Sequence, residues 1–188
     1  MSRGRTDVAA LIGAVCAERS LPVEATGDFS YAVTLAGTHK LRTVCNLIVG
    51  EHALRVEAFV MRRPEERREE LWAWLLRRNA RMYGVAFAID AAGDVYLTGR
   101  LALAAVTADE LDRLLGSVLT YADESFDTML EIGFADAIRR EWAWRTSRGE
   151  STANLAGFRH LAGPDDAAGP DDAAGPDDAA GPGHGPAG

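Results

Sequence analysis

The C-terminal end of the chain limits where a fold can form. From Gly163 the sequence repeats GPDDAA three times and ends in GPGHGPAG, and no large apolar side chain follows Leu161. A Gly-Pro pair every six residues interrupts helix and strand patterns, and such a segment cannot bury enough surface to offset its ordering entropy. We therefore predict a folded domain over residues 1–160 and a disordered acidic tail over residues 161–188.

The tail also accounts for the acidity of the chain. There are 28 acidic and 20 basic side chains, a formal net charge of −8, but six of the acids are aspartates of the repeats. The remaining part is close to neutral and does not favour nucleic-acid binding, which usually uses a basic surface. Its length suits one domain with a single core.

The N-terminal segment favours neither secretion nor membrane insertion. Its apolar run is broken by Glu18 and Arg19, whereas a membrane span needs roughly 18 uninterrupted apolar residues. Cys16 and Cys45 each stand in an apolar context, which favours two reduced, buried thiols; a disulfide or redox pair is the alternative. We predict a cytoplasmic protein without membrane association.

Apolar periodicity predicts the elements of the first half of the domain. A helix from Thr6 to about Arg19 precedes three alternating strands, a second helix begins at Pro64 and is closed by Gly84, and a hairpin follows. The predicted strands are residues 29–35, 41–49, 54–60, 85–89 and 95–97.

The second half is predicted to be helical. Thr107 and Glu110 form a capping box before a long amphipathic helix, and Gly133 separates it from a last helix, Ala135 to Ser147. The complete order is α-β-β-β-α-β-β-α-α. It is typical of an α+β domain in which an antiparallel sheet carries helices.

Three short motifs carry a family resemblance. Together they resemble the YbjN family, bacterial proteins labelled sensory transduction regulators, over roughly residues 1–155 and most strongly over residues 71–149. The motifs are Arg77-Arg78-Asn79-Ala80-Arg81, Gly99-Arg100-Leu101-Ala102-Leu103 and Glu141-Trp142-Ala143-Trp144-Arg145. The resemblance implies a fold like that of the type III secretion chaperones, which are usually dimeric, bind protein segments and have no chemistry of their own. The GPDDAA tail departs from the family pattern.

Two Trp-Ala-Trp segments supply candidate interface residues. Residues two apart lie about 200° apart around a helix, so Trp72 and Trp74 face different ways. We assign Trp72 to the apolar face with Leu75, Leu76 and Tyr83, which leaves Trp74 on the flank of the second helix.

The second segment divides in the same way. Trp142 joins the apolar face, and Trp144 projects elsewhere, beside Arg140. For Trp74 and Trp144, an interface anchor and partial burial in tertiary packing are both open. Since dimers of the chaperone fold often meet at the second helix and a neighbouring strand, the resemblance implies that Trp74→Ala lowers dimer affinity.

An arginine cluster is the other candidate interface. It would form a basic patch for a phosphate, an acidic peptide or the chain's own acidic tail. The alternative is that these arginines stabilise helix C-termini and pair with nearby glutamates. The cluster comprises Arg77, Arg78 and Arg81, with Arg139, Arg140 and Arg145.

No pattern in the sequence indicates a catalytic, metal or cofactor site. The motifs of serine hydrolases, zinc proteases, P-loops and dinucleotide folds are missing from the sequence. We interpret residues 90–94 as a hairpin turn rather than a calcium loop, because the alternating oxygen ligands of an EF-hand are missing. Asp123, Glu124 and Asp127 are interpreted as a solvated charged face.

We therefore predict a non-enzymatic protein–protein interaction module that binds an unidentified protein partner, forms a homodimer and has a regulatory or chaperone-like role. The runner-up is a regulator that senses a small molecule or nucleotide through the arginine cluster. An enzyme whose site is assembled from scattered residues is the third class.

Overall fold

The computed structural model describes residues 4–162. In this part, the chain forms a six-stranded sheet and three helices, so the predicted α+β class is confirmed. The elements are α1 Arg5–Glu18, β1 Val23–Gly27, β2 Ser30–Ala36, β3 Arg42–Val49, β4 Ala53–Met61, α2 Arg68–Asn79, β5 Ala86–Ile89, β6 Val95–Ala102 and α3 Ala108–Arg148, with short 3-10 helices at Leu103–Ala105 and Ala153–Leu161. Residues 163–188, which hold all of the predicted tail except its first two residues, lie outside the described residues.

The strands form one antiparallel sheet in the order β1-β2-β3-β4-β6-β5. Strands β1 to β4 are a meander, and the β5–β6 hairpin joins it through the pairing of β6 with β4. Buried residues alternate along β3 and most of β4. This alternation arises because one face of the sheet packs on the helices and the other is open to solvent.

The buried face of the sheet and the apolar sides of the helices form one core. Its members include Ile12 of α1, Leu47 and Leu54 of the sheet, Leu71 of α2 and Leu111 of α3, all completely buried. Burying one leucine contributes roughly 1.5–3 kcal/mol before entropic costs. None of the helices within residues 4–162 is both long and apolar enough to span a membrane.

Strand β1 is absent from the predicted order. All five of its residues, Val23–Gly27, are exposed, so no burial pattern with a period of two marks them as a strand. The strand exists because its backbone pairs with β2 at the edge of the sheet, with Val23 opposite Val33. Edge pairing of this kind depends on backbone hydrogen bonds rather than on side-chain pattern.

The second helix begins at Arg68, four residues after the predicted start at Pro64. Arg67, just before it, has a left-handed backbone with φ 43°. Ahead of this residue, the N–H groups of Glu65 and Glu66 donate to the carbonyl oxygen of Gly133, at 3.0 and 3.2 Å. The segment after Pro64 is thus held by α3 instead of forming a helical turn.

Thr107 caps the start of α3, since its Oγ1 accepts the N–H of Glu110 at 3.1 Å. The Glu110 carboxylate accepts from Tyr83 and Arg113, so the structure shows the Thr107 half of the predicted capping box.

The predicted break between the last two helices is confirmed, as a kink that divides the helical stretch α3 into two parts. The non-helical backbone lies at Phe134 (φ −143°, ψ 19°), one residue after Gly133. A Cβ atom on Gly133 would lie 2.8 Å from Cβ of Pro64, so this glycine permits close packing.

The described residues divide into two compact units, with the boundary between Ala135 and Asp136. In the second unit, α3 ends before Gly149, whose φ of 65° suits a residue without a side chain. Trp142 and Phe158 are buried there, at 4% and 8% exposure. The short 3-10 helix Ala153–Leu161 was not predicted.

The two cysteines are free and buried, as predicted. Burial, with a smaller contribution from the neighbouring Cys16, raises the pKa of the Cys45 thiol to about 12. Burial also raises the pKa of Cys16. A thiol reacts as its thiolate, so both side chains are protected in the folded state.

We expect the cysteines of the native protein to resist alkylation by iodoacetamide at pH 8. An ordinary thiol has a pKa of roughly 8.5, so the shift reduces the Cys45 thiolate fraction about a thousandfold or more. Intact mass should show no adduct on native protein and two on protein unfolded in urea. Rapid labelling of native Cys45 would contradict the predicted protection.

The raised pKa of Cys45 also predicts the direction in which the free energy of unfolding changes with pH. Because the folded state holds the Cys45 proton more tightly than the unfolded state does, its stabilising contribution is complete below the unfolded pKa. It is lost as the pH rises through about 9 towards 12. The free energy of unfolding of wild-type protein should fall more steeply in this range than that of Cys45→Ala.

Candidate functional site

A groove between the end of α2 and the first half of α3 brings several candidate residues together. It is a cavity of about 640 Å³ lined by eight residues. We call it the arginine groove. Its lining residues are Trp74, Arg77, Arg78, Ala80, Arg81, Met82, Tyr121 and Glu124.

Helical spacing explains why the basic residues share this groove. Trp74, Arg77 and Arg78 are three and four residues apart on α2, and such residues lie on one side of a helix. Arg81 follows the end of the helix in a turn in which its N–H donates to the carbonyl of Arg78 at 3.0 Å. The row of basic side chains therefore continues past Asn79, the last residue of α2.

Arg78 is held in place by three contacts. Its Nε donates to Ser125 Oγ at 3.1 Å, one Nη lies 3.4 Å from Glu124 Oε2, and the guanidinium carbon is 5.3 Å from the centre of the Trp74 ring. Ser125 is completely buried. Arg78 therefore satisfies a buried hydroxyl and covers part of the Trp74 indole, which is the structural role considered for this cluster.

Arg77 and Arg81 differ from Arg78. Both side chains are exposed, and neither guanidinium makes an ion pair within residues 4–162. The predicted pairing of helix-terminal arginines with nearby glutamates thus holds for Arg78 but not for these two. They leave two uncompensated positive charges at the rim of the groove.

The opposite wall of the groove is fixed by a chain of hydrogen bonds from α3. The Tyr121 hydroxyl accepts the backbone N–H of Tyr83 at 3.0 Å. The Tyr83 hydroxyl in turn donates to Glu110 Oε1 at 2.8 Å. These bonds anchor the loop after α2, so the aromatic and cationic groups of the groove have a rigid support.

The apolar face of α2 differs from the assignment made from the sequence. Leu71 and Leu75 face the core, and Trp72 is partly buried. Leu76 is 69% exposed and Tyr83 46% exposed, so neither belongs to the buried face. Successive residues of a helix lie 100° apart around its axis, so when Leu75 faces the core, Leu76 points away from it. Trp74 is partly buried against the core, as expected for a flank position.

The remaining candidates lie in the second unit. Trp144 is 45% exposed, with the Arg148 guanidinium 5.0 Å from its ring centre. Arg140 is exposed on the same stretch of α3. Two further arginines of the predicted cluster are paired locally, Arg139 with Asp136 and Arg145 with Glu141.

Asp123 was interpreted as part of a solvated face, and this interpretation is wrong. Its Oδ1 accepts the backbone N–H groups of Thr38, His39 and Lys40 at 2.9, 2.8 and 2.8 Å. Asp127 Oδ2 lies 2.6 Å from His39 Nδ1. The two carboxylates thus attach the β2–β3 loop to α3.

Asn79, the third residue of the Arg-Arg-Asn-Ala-Arg motif, binds the backbone of a neighbouring strand. Its side-chain amide donates to the carbonyl of Phe87 at 3.0 Å and accepts the Phe87 N–H at 2.7 Å. Phe87 lies on β5, which is the outer strand on this side of the sheet. The amide pairs with the strand as a neighbouring backbone would and closes part of the free edge.

The turn of residues 90–94 is a hairpin turn. Asp90 Oδ1 accepts the N–H groups of Ala92 and Asp94, both at 2.9 Å, so this carboxylate closes the turn. Across the part of the chain that the structure describes, no group of three or more His, Cys, Asp or Glu side chains is placed to hold a metal ion.

Comparison with known proteins identifies relatives over most of the domain. The sequence profile of the YbjN family, described as "Putative bacterial sensory transduction regulator", matches residues 9–131. An uncharacterized protein of Mycobacterium tuberculosis H37Rv is 56% identical over 129 residues, which cover 69% of this chain and 70% of that protein. An uncharacterized protein of Mycobacterium leprae is 47% identical over 135 residues, covering 72% and 73%.

The solved structures with a similar fold include a complex of a type III secretion chaperone. The ExsC–ExsE complex matches with a TM-score of 0.49 and 19% identity, over 66% of this chain and 95% of that chain. The Yersinia pestis type III secretion chaperone SycH, in complex with a fragment of YscM2, matches with a TM-score of 0.45 and 18% identity, over 61% and 96%.

Proposed function

Because the chain belongs to the YbjN family, we propose that it is a protein-binding module with a regulatory or chaperone-like role and no chemistry of its own. The observation that carries the proposal is the arginine groove. Partly exposed aromatic surface beside uncompensated guanidinium groups is the composition of protein interfaces, in which aromatic residues and arginine are enriched. We place its action in the cytoplasm, where two free thiols such as Cys16 and Cys45 persist.

The groove favours a partner segment with apolar and acidic side chains. Trp74, Met82 and Tyr121 offer apolar surface, and Arg77 and Arg81 offer donors for carboxylates. A planar guanidinium binds a carboxylate through two parallel hydrogen bonds, which adds directional specificity to the charge attraction.

We expect Arg77→Glu/Arg81→Glu to abolish partner binding without unfolding the protein. Both residues are exposed and unpaired within the described residues, so the reversal removes no internal contact. Capture from native lysate with the full chain should recover a stoichiometric protein partner, and the variant should reduce its recovery at least about tenfold.

Arg42→Glu/Arg100→Glu is the matched control. Both residues are exposed on the sheet, outside the groove, and the change in net charge is the same. Equal recovery with both double variants would show that the groove is not the binding surface, because the loss would then follow net charge alone.

A second candidate function is small-molecule or nucleotide sensing through the same arginines. The lining favours it, since Arg77 and Arg81 can bind an anionic group while Trp74 and Tyr121 offer aromatic surface beside them. Native mass spectrometry of the purified full chain distinguishes the two. A bound metabolite that is lost in Arg77→Glu/Arg81→Glu would support sensing, and a protein partner lost in the same variant would support the interaction module.

We also propose that the chain forms a homodimer through the outer side of α2 and the neighbouring β5 edge. Leu76 on α2 is 69% exposed, and Ile89 at the end of β5 is 51% exposed. Large apolar side chains exposed on neighbouring elements are stabilised when a second polypeptide covers them.

We expect Leu76→Asp to weaken self-association at least about tenfold, since burying one leucine contributes roughly 1.5–3 kcal/mol. Trp74→Ala should weaken it less, because Arg78 already covers part of that indole. Analytical ultracentrifugation of both variants measures this. Leu41→Asp is the control, since Leu41 is 77% exposed in the β2–β3 loop. Identical sedimentation of all three variants and wild type would exclude α2 as the dimer surface.

A further inference from the structure

We propose that the arginine groove binds the chain's own acidic C-terminal segment, residues 163–188, which then competes with the protein partner. This inference rests on the proposed function, because it regulates the same groove. The segment holds six aspartates in three Asp-Asp pairs and no lysine or arginine. It is the strongest concentration of negative charge in the sequence.

The groove has the complementary chemistry. Arg77, in the last turn of α2, and Arg81, in the turn that follows it, both line the groove. Neither is paired within residues 4–162, so an Asp-Asp pair can bind both guanidiniums without displacing an existing ion pair. Glu124, the acid of the lining, is engaged with Arg78.

A second basic cavity in the same unit is a poorer match. It has a volume of about 580 Å³ and is lined by Arg62, Arg63 and Arg68 together with Glu65 and Asp94. The two acids offset most of the positive charge there, and Arg68 Nε already donates to the carbonyl of Pro64 at 3.0 Å. Charge complementarity therefore selects the arginine groove.

The length of the segment permits the contact. An extended chain spans about 3.3 Å per residue, so 26 residues reach up to about 85 Å. The unit that holds the groove has about 130 described residues, and a folded unit of this size has a radius of gyration of roughly 14 Å. The repeats of six residues also present a new Asp-Asp pair at regular intervals, so several registers satisfy the groove.

The contact is expected to be weak and sensitive to salt. Exposed ion pairs are screened over a Debye length of about 8 Å at physiological ionic strength. Tethering compensates, because a flexible linker gives an effective concentration in the millimolar range. Intramolecular competition of this strength should weaken partner binding about three- to tenfold and should vanish at high salt.

The test compares the full chain with a variant in which all six tail aspartates are asparagine. The substitution keeps the length and the Gly-Pro spacing and removes only the charge. Amide NMR signals of residues 77–82 and 121 should differ between the two proteins at about 50 mM NaCl and coincide at about 0.5 M NaCl. The same tail change in the Arg77→Glu/Arg81→Glu background should shift none of these signals, and tenfold dilution should leave the differences unchanged.

Groove signals that coincide with both tails at low salt would overturn the inference, and differences that disappear on dilution would overturn intramolecular binding. Partner capture separates this failure from failure of the proposed function. If the asparagine variant binds the partner as wild type does, while Arg77→Glu/Arg81→Glu loses it, the groove binds the partner and the tail does not compete. Partner recovery that increases three- to tenfold in the asparagine variant supports the competition.

Discussion

Gly99→Ala should destabilise the protein by about 3 kcal/mol, as overpacking in a close-packed region does. Gly99 lies on β6, and a Cβ atom there would come within 2.5 Å of the Gly84 carbonyl oxygen and 2.9 Å of Val85 Cγ1. The nearer atom belongs to the backbone, and Gly84 itself has a φ of 73°, so the loop has little freedom to withdraw. The methyl group would therefore separate β6 from the segment that leads into β5.

Urea denaturation of wild type and variant measures this loss. Gly116→Ala is the matched control, because Gly116 lies in α3 and a Cβ atom there has no neighbour within 4 Å. Alanine in an open helical position should raise the free energy of unfolding by roughly 0.5–1 kcal/mol. If the two variants have the same unfolding midpoint, the close approach at Gly99 does not constrain the fold.

Asp123→Ala should destabilise the protein by about 2–3 kcal/mol, the range for losing hydrogen bonds to a charged acceptor. The substitution leaves three backbone N–H groups, at Thr38, His39 and Lys40, without their common acceptor. Water can reach part of this site, so the loss stays below that of a buried network. The β2–β3 loop should detach from α3 while the sheet remains folded.

Amide hydrogen exchange provides a local readout of this effect. The three loop amides should exchange much faster in Asp123→Ala, and the amides of β3 and β4 should keep their protection. Asp123→Asn is the control, since it retains an oxygen acceptor and loses only the charge; its effect should be less than half as large. Unchanged exchange at residues 38–40 in the alanine variant would contradict the anchoring role of this carboxylate.

Part of the groove was predictable from the sequence. The periodicity of the second helix and the spacing of Trp74, Arg77 and Arg78 already place these residues on one side. Local spacing does not identify the other wall, because Ser125 is 47 residues from Arg78 in sequence. Contacts with this wall distinguish Arg78, which binds Ser125 and Glu124, from Arg77 and Arg81, which have no ion pair within residues 4–162.

The errors have a common cause. Asp123 is a charged helix residue of ordinary appearance, and its partners lie 83 to 85 residues away in the chain. Strand β1 has no alternation of buried and exposed residues, since its pairing with β2 depends on backbone hydrogen bonds. Leu76 is apolar and was therefore assigned to the core, but the rotation of α2 about its own axis leaves this side chain exposed to solvent.

Local pattern alone determined the α+β class, the helical and strand character of most segments and the buried thiols. These features depend on interactions between near neighbours in the chain and on the period of apolar residues, and both are written in the sequence. Tertiary structure alone decided which arginines remain unpaired, which carboxylate anchors a loop and which leucine faces water. Each of these depends on contacts between residues distant in sequence, and such contacts exist only after the elements have packed together.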